Sequence, residues 1–439
     1  MSSWQKNYPE IIFFSLVFFV FLLIYTQGKL FLVKIEIFSY SCFYFFEINN
    51  MARNKIQKTI EEINRKIKDG KVIVVTADEM VEIVKKNGPE QAAANVDVVT
   101  TGTFSPMCSS GAFINFGQAK TPIKANQVTV NDVPAYAGLA DVDIFLGAAE
   151  PAEDDPLNKV HPGQFKYGGG HVIHDLVSGK RVKIKAKSYT TDCYPSKEIH
   201  KQIRLKDLPY AVLVNPRNAC QNYNCAVNKT DKIKYTYMGV LRPKAGNINY
   251  TTSGQLSPLL NDPYYQTIGM GTKIFLGGAQ GYITWDGTQH NPAAKRRNNG
   301  VPLEPAGTLM VMGNLKEMDP RWLAGVSMLG YGCSLAVGIG VPIPVLNEEI
   351  ARYTGVSDEE IFTQIIDYGE DYPKGKAKSL GEVSYAELKS GSINFNGQEV
   401  QTAPISSYSR AKEIATILKE WIHAGKFLLG QPQRPITSI

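Results

Sequence analysis

The stretch that decides the fold is Thr101–Gly117, which reads Thr-Gly-Thr-Phe-Ser-Pro-Met-Cys-Ser-Ser-Gly-Ala-Phe-Ile-Asn-Phe-Gly. It follows the short apolar run Val96–Val99, which is typical of a buried strand, so Cys108 is expected on a loop at the exit of that strand. The hydroxyls of Ser109 and Ser110 and nearby backbone N–H groups can donate hydrogen bonds to this thiol. Such donors lower the pKa of a cysteine and favour the nucleophilic thiolate. The loop is therefore a candidate reactive site, although a small buried cysteine in a tight turn fits the same residues.

The residues before this loop predict a βαβ-like unit. Lys71–Val75 is typical of a buried strand, and the capping box Thr76–Glu79 begins a helix predicted over Asp78–Asn87, which should end at Gly88. The next strand would carry Cys108 just beyond its carboxyl end. Because α/β sheets bind ligands at that edge, the position agrees with a functional loop.

Composition and pattern predict a mixed α/β fold. Apolar residues make up 44% and charged residues 20% of the 439-residue chain, as in a globular protein, and 38 Gly with 24 Pro indicate many turns. No linker divides residues 51–439, so we expect one large intertwined domain with many short strands and Gly-rich loops. Helices are predicted at both ends of this part, over Ile56–Ile67 and Ile414–Ile422. Two more are predicted between them, over Glu348–Tyr353 and Asp358–Tyr368.

The first fifty residues differ from the rest. Ile11–Tyr25 is apolar except for Ser15. We interpret residues 1–50 as a hydrophobic extension ahead of a true start at Met51; a membrane anchor reaching to about Phe31 and a processed segment are the alternatives. The run is shorter than the roughly 20 residues that a spanning helix needs, and no small-residue cleavage site follows it. A cytoplasmic protein is therefore expected, with a membrane contact only if residues 1–50 are translated.

Charge and cysteine content exclude several classes of function. The net charge of +6 is a mild excess without a Lys/Arg-rich tract, so nucleic acid is not an expected partner. The basic loop Lys295–Gly300 is interpreted as solvated, with docking of an acidic redox partner as the alternative. Six cysteines are too few for a disulfide scaffold and favour reduced thiols in a cytosol.

The sequence predicts no bound metal or cofactor. His171 and His174 would face opposite sides of a predicted strand, without a third ligand nearby. Cys220 and Cys225 are the only close cysteine pair, whereas a cluster or structural zinc needs four ligands. The glycines of Leu329–Pro344 do not have dinucleotide-binding spacing and indicate a close-packed strand and turn. Any electrons for the chemistry should therefore come from an external donor.

Two long stretches carry a resemblance to a known family. They are Thr101–Gly117 and Tyr167–Pro195, the second of which contains Tyr-Gly-Gly-Gly-His and ends in Ser-Tyr-Thr-Thr-Asp-Cys-Tyr-Pro. Both are similar to the homocysteine biosynthesis family of methanogens and anaerobic bacteria, and the resemblance runs from Ile56 to about Trp421. Many relatives carry a C-terminal pair of CBS domains, for which this sequence leaves no room, and they begin near Met51.

The resemblance implies a sulfurtransferase reaction that belongs to methionine biosynthesis. Sulfide joins the aldehyde of L-aspartate 4-semialdehyde, and reduction gives L-homocysteine. The paired catalytic cysteines of the family fall on Cys108 and Cys193: Cys193 would carry a persulfide, and Cys108 would close a disulfide. Asp192 opposes a neighbouring thiolate by its charge, so Lys, Arg or backbone donors are expected to offset it. The implied reductant that resets the pair is a small ferredoxin-like iron–sulfur protein.

Two other functions remain open at this point. One is a membrane-tethered, thiol-bearing binding or assembly protein. The other is an acyl-transfer enzyme that pairs Cys108 with His171 or His174 and needs no reductant. If the substrate is the amino-acid aldehyde, its α-carboxylate requires a cation, and the sequence does not choose among three arginines: Arg204, Arg217 and Arg242.

Overall fold

The computed structural model describes residues 20–26, 29–35, 56–220 and 225–436. The chain forms two compact units, Met1–Lys55 and Ile56–Ile439. In the first unit, strands β1 (Val20–Thr26) and β2 (Lys29–Ile35) pair as an antiparallel hairpin. The rest of the predicted anchor segment lies outside the described residues. Within those residues, no helix has the length and apolarity that crossing a bilayer requires.

The second unit mixes helices with many short strands, which confirms the predicted fold class. Its helices are α1 (Ile60–Lys68), α2 (Ala77–Asn95), α3 (Gly169–Val177), α4 (Pro258–Asn261), α5 (Glu348–Thr354), α6 (Tyr385–Lys389) and α7 (Tyr408–His423). Its strands are β3 (Val74–Thr76), β4 (Val98–Thr100), β5 (Thr103–Pro106), β6 (Gly111–Asn115), β7 (Gln127–Val130), β8 (Val133–Ala135), β9 (Asp143–Gly147), β10 (Val182–Lys187), β11 (Glu198–Ile203), β12 (Tyr210–Ala219), β13 (Cys225–Val227), β14 (Lys234–Thr236), β15 (Gly239–Leu241), β16 (Ile248–Tyr250), β17 (Gly269–Met270), β18 (Lys273–Leu276), β19 (Ala279–Asp286), β20 (Leu309–Asn314), β21 (Leu323–Met328), β22 (Gly332–Gly340), β23 (Pro342–Pro344), β24 (Phe362–Asp367), β25 (Ser379–Ser384), β26 (Ser392–Phe395), β27 (Gln398–Pro404) and β28 (Arg434–Pro435).

The predicted βαβ unit is present. Strands β3 and β4 are connected by α2 and pair in parallel, and β23 pairs with β4 in the antiparallel direction. The capping box is confirmed, since the Thr76 N–H donates to the Glu79 carboxylate at 2.8 Å. The predicted end of the helix at Gly88 is confirmed: Gly88 has a non-helical backbone with a φ of 79°, and a second helical segment follows it to Asn95 within the range given for α2. Pro89 is accommodated because it begins the second helical segment, where it need not donate a backbone hydrogen bond.

A nine-stranded antiparallel sheet forms the body of the unit. Its order is β21-β22-β18-β19-β20-β12-β6-β9, and β5 pairs with β22 off this path. The glycines predicted to be close-packed lie on β22, where a Cβ on Gly340 would come within 2.8 Å of Ile414 on α7. Cys333, on the same strand, is buried. The predicted close-packed strand is therefore present, and at Gly340 it packs against a helix.

Two further large sheets belong to the unit, beside the two-stranded pairs β14-β15 and β17-β28. One has the order β11-β10-β7-β8, and its strand β10 alternates buried apolar residues with outward-facing cations, as predicted from Val182–Lys187. The other has the order β25-β24-β13-β16-β27-β26 and combines parallel and antiparallel pairs. Loops at the ends of the large sheet and of this last sheet meet at the cavity described below.

Two sequence predictions of local structure are wrong. The segment Asp358–Tyr368 was expected to be helical, but its centre is strand β24, because Ile365 and Ile366 pair in parallel with β13 and tertiary pairing overrides local pattern. The segment with the two histidines was expected to be a strand, but it is helix α3. There Val172, Ile173 and Leu176 are buried at helical spacing.

Candidate active site

Cys108 lines a solvent-open cavity of about 300 Å³. The thiol-bearing stretch Ser105–Ser109 forms one wall, and Arg217 and Asn218 at the end of β12 form another. Three tyrosines, Tyr237, Tyr331 and Tyr372, come from separate loops and make up much of the remaining surface. The cavity therefore brings together segments that are almost 300 residues apart in the sequence.

The loop that carries Cys108 is held at both ends by backbone hydrogen bonds. The Met107 N–H donates to Leu335 on β22 at 2.8 Å, and the Ser110 N–H closes a turn onto the Met107 carbonyl at 3.0 Å. The Ser110 carbonyl accepts from Ala148, just past β9, at 2.8 Å. The expected strand-exit loop is present, but it follows β5, which pairs in a different sheet from β4.

The surroundings of Cys108 favour the thiolate less than the sequence predicted. Burial raises the pKa of Cys108 above its usual value, and the Ser334 hydroxyl together with a backbone N–H opposes this rise only in part. The predicted lowering of the pKa by Ser109 and Ser110 is therefore wrong. The Ser110 hydroxyl instead accepts a hydrogen bond from Asn215 at 3.0 Å. The Ser334 hydroxyl is buried without another partner in the described chain, which leaves it available to the thiolate.

Asn215 joins the thiol loop to the Arg217–Asn218 segment of the cavity lining. Its Oδ1 accepts from the backbone N–H groups of Arg217 and Asn218, and its Nδ2 donates to Ser110 Oγ and Asn218 Oδ1, all at 3.0 Å. The pairing of β12 with β20 is irregular between Asn215 and Ala219, so the two intervening lining residues leave the ladder there. This buried amide fixes the segment that carries Arg217 and Asn218.

Two of the lining tyrosines, Tyr237 and Tyr372, form a hydrogen-bonded group with Tyr368. The Tyr237 hydroxyl lies 3.0 Å from that of Tyr368 and donates to that of Tyr372 at 2.9 Å. The rings of Tyr368 and Tyr372 stack with centroids 4.3 Å apart. Burial raises the pKa of Tyr237, so its hydroxyl stays protonated at neutral pH. The result is a rigid, uncharged polar surface.

Cys193 lies away from this cavity. It is exposed on the loop between β10 and β11, and it is not among the residues that line the cavity. Its neighbour Tyr194 donates a hydrogen bond to Asp141 at 2.8 Å. Asp141 lies two residues before the start of β9. Neither Asp192 nor Cys193 forms an ion pair with Lys or Arg in the described part of the chain, so the cationic offset expected beside Asp192 is not found there.

The two catalytic candidates lie near opposite ends of β9. The Cys108 loop contacts the end that follows Gly147, whereas the Cys193 loop contacts Asp141, just before Asp143. Four residue steps of about 3.4 Å separate these ends by about 14 Å. A disulfide needs Cα atoms within about 7 Å. Both thiols are free, and Cys193 is not among the residues that line the cavity at Cys108.

The histidines of the sequence-predicted acyl-transfer alternative do not reach the cavity. His171 stacks on Tyr167 with ring centroids 5.5 Å apart, and His174 accepts from the Gly325 N–H at 3.4 Å. No histidine lines the cavity among the residues that the structure describes. Across those residues, no three His, Cys, Asp or Glu side chains are grouped so as to hold a metal ion.

The structure distinguishes the three arginines that are candidates for binding the α-carboxylate. Arg217 lines the cavity, whereas Arg204 and Arg242 do not. In the basic loop Lys295–Gly300, Arg297 pairs with Glu382 and Arg296 lies over the Tyr264 ring, 5.4 Å from its centroid. These contacts give the loop a structural role. The signal for Arg217 was present in the sequence, because Asn-Pro-Arg-Asn directly follows the apolar run Ala211–Val214 and marks a strand interruption.

A partly buried thiol in a polar, solvent-open cavity is the arrangement of a thiol-dependent enzyme. Residues 72–429 match the model of the family described as homocysteine biosynthesis enzyme, sulfur-incorporation, and the chain belongs to this family. The resemblance seen in the two cysteine motifs is thereby confirmed.

The relatives agree with this assignment. The chain is 50% identical over 385 residues to the L-aspartate semialdehyde sulfurtransferase of Methanosarcina acetivorans, which covers 87% of this chain and 72% of that protein. It is 49% identical over 387 residues to the protein of the same name from Methanocaldococcus jannaschii, which covers 85% of this chain and 72% of that protein. An uncharacterized protein of Methanothermobacter thermautotrophicus is 27% identical over 348 residues, 77% of this chain and 73% of that protein. No solved structure matches the chain.

Proposed function

We propose that this protein is an L-aspartate semialdehyde sulfurtransferase, which incorporates the sulfur of sulfide into L-aspartate 4-semialdehyde to give L-homocysteine. The proposal rests on the identity of about half of the aligned residues to two proteins of that name. The observation that carries it is the position of Cys108, on a family motif and in the lining of a cavity that also contains a cationic side chain. The reaction consumes one aldehyde, one hydrogen sulfide, two electrons and two protons, and yields one thiol and one water.

In the proposed course, sulfur travels through a cysteine persulfide. Hydrosulfide opens a disulfide between Cys108 and Cys193, which leaves a persulfide on Cys193 and a free thiol on Cys108. The outer persulfide sulfur adds to the aldehyde carbon. The Cys108 thiolate then attacks the Cys193 sulfur, which re-forms the disulfide and releases a thiohemiacetal. Loss of water gives a thioaldehyde, which an external donor reduces to the thiol with two electrons and two protons. In this course the donor acts on the thioaldehyde and not on the cysteine pair, because thiol exchange already regenerates the disulfide.

The electron donor and the motion are part of the same proposal. A ferredoxin-like iron–sulfur protein is the proposed donor, with L-aspartate semialdehyde and sulfide as the small-molecule substrates. Because Cys193 lies near the far end of β9, its loop must leave its contacts with Asp141 and Thr121 to reach Cys108. Its exposure and its few side-chain anchors suit such a movement.

The test is a product assay under anaerobic conditions. The protein is mixed with L-aspartate semialdehyde, sulfide and titanium(III) citrate, and homocysteine is scored by mass spectrometry. We expect homocysteine from the wild type and none from Cys108→Ala or Cys193→Ala. Cys225→Ala is the matched control, because this buried thiol lies on β13 outside the cavity and should leave product formation intact. A folded wild type that forms no homocysteine would refute the proposal.

A further inference from the structure

The cavity contains a cation that neither the thiol chemistry nor the fold uses. Arg217 is the one Lys or Arg side chain among the described lining residues, and no Asp or Glu lines the cavity beside it. Arg217 pairs with no carboxylate in the described part of the chain, unlike Arg297, which pairs with Glu382. An arginine in this position is available to a ligand.

The backbone around Arg217 is held from several sides. Its N–H donates to the buried Asn215 at 3.0 Å. The Thr288 N–H donates to the Pro216 carbonyl at 3.2 Å, and a Cβ on Gly287 would lie 2.3 Å from the Arg217 carbonyl oxygen. The glycine therefore permits a close backbone approach. These contacts orient an exposed side chain from a fixed base, which is how a binding group is preorganised.

Arg217 does not serve to ionise Cys108. The pKa of Cys108 is governed by burial, by Ser334 and by a backbone N–H, and no cationic side chain contributes. Burial has the largest effect on the pKa of the Tyr331 hydroxyl and raises it. The Cys108 thiolate raises this pKa further, and Arg217 lowers it. The thiol and the guanidinium are therefore separate groups that face one shared space beside Tyr331.

We propose that Arg217 binds the α-carboxylate of the amino-acid aldehyde and thereby directs the aldehyde carbon toward the thiol side of the cavity. This inference rests on the proposed function and names the group that selects an amino-acid substrate. The guanidinium matches a carboxylate with two parallel hydrogen bonds, which an ammonium cannot reproduce. The same cation could instead hold hydrosulfide, so the test separates the two anions.

The experiment compares Arg217→Ala with wild type on two aldehydes, L-aspartate 4-semialdehyde and 3-aminopropanal, which lacks only the carboxylate. Loss of a charged hydrogen-bonding partner should raise the KM for the semialdehyde about tenfold or more. The KM for sulfide and the rate with 3-aminopropanal should stay within about twofold of wild type. Arg217→Lys should recover part of the loss, because it keeps the charge without the fork. Arg242→Ala, which removes an exposed arginine outside the cavity, is the control and should match wild type.

The outcomes separate this inference from the proposed function. An active wild type with an unchanged semialdehyde KM in Arg217→Ala would overturn the role of Arg217 and leave the sulfurtransferase standing. A rise confined to the KM for sulfide, or an equal loss with both aldehydes, would also overturn it. A wild type that turns over neither aldehyde would instead reject the proposed function.

Discussion

Replacing Asn215 by alanine should damage stability and substrate binding together. The side chain is 2% exposed and makes four hydrogen bonds of 3.0 Å, two to backbone N–H groups and two to side-chain oxygens. At about 1 kcal/mol net for each bond, and with water replacing some of them at exposed Arg217, the free energy of unfolding should fall by about 2–3 kcal/mol. The loosened wall should also raise the KM for the aldehyde, because Arg217 loses its fixed base.

Urea unfolding measures the first effect, and steady-state homocysteine formation measures the second. Asn261→Ala is a matched control: Asn261 is fully buried on α4 and donates to Gln255 and Ser257, but it does not line the cavity. The control should lose stability and keep the aldehyde KM. The reasoning is refuted if Asn215→Ala keeps a wild-type KM, or if both variants raise the KM alike.

Two further predictions concern the thiol and the packing beneath it. Because burial raises the pKa of Cys108, less thiolate is present at any given neutral pH than for a free cysteine, so its alkylation by iodoacetamide should reach half-maximum above pH of about 8.5. Ser334→Ala removes a group that opposes this rise and should move the midpoint higher still; an unmoved midpoint would show that the hydroxyl does not reach the thiolate. Gly169→Ala should lower the melting temperature strongly or prevent soluble expression, since its Cβ would lie 1.8 Å from the Gly147 carbonyl oxygen. Gly147→Ala, whose nearest neighbour is 3.8 Å away, should be tolerated, and equal damage from both would contradict the packing argument.

The parts of the fold that sequence could predict are those encoded by local signals. The capping box at Thr76 and the helix over Ile414–Ile422, which lies within α7, were predicted correctly because each is set by residues within a few positions of one another. Asp358–Tyr368 was misread because its isoleucines allow either structure, and only pairing with β13 decides for a strand. The strand predicted for the histidine segment was wrong for the converse reason: burial of one face of α3 in the core overrides the strand preference of its β-branched residues.

The geometry of the candidate site was not predictable from local sequence patterns. Motif resemblance selected Cys108 and Cys193 from six cysteines, but their positions near opposite ends of β9 depend on strand pairing that no local pattern encodes. The choice of Arg217 among three arginines likewise depends on a bulge in β12 and on a glycine that lies 70 residues further along the chain. Long-range packing decides both.

The most direct test of the account asks whether the substrate occupies the cavity at Cys108. The reduced protein is treated with iodoacetamide, with and without L-aspartate semialdehyde and in the absence of sulfide, and the alkylation of Cys108 and Cys193 is followed by peptide mass spectrometry. Exposed Cys193 provides an internal reference for any unspecific reaction of the aldehyde with thiols. The account predicts that the semialdehyde slows alkylation of Cys108 much more than that of Cys193. Alkylation of Cys108 at an unchanged rate, at aldehyde concentrations that saturate turnover, would contradict it.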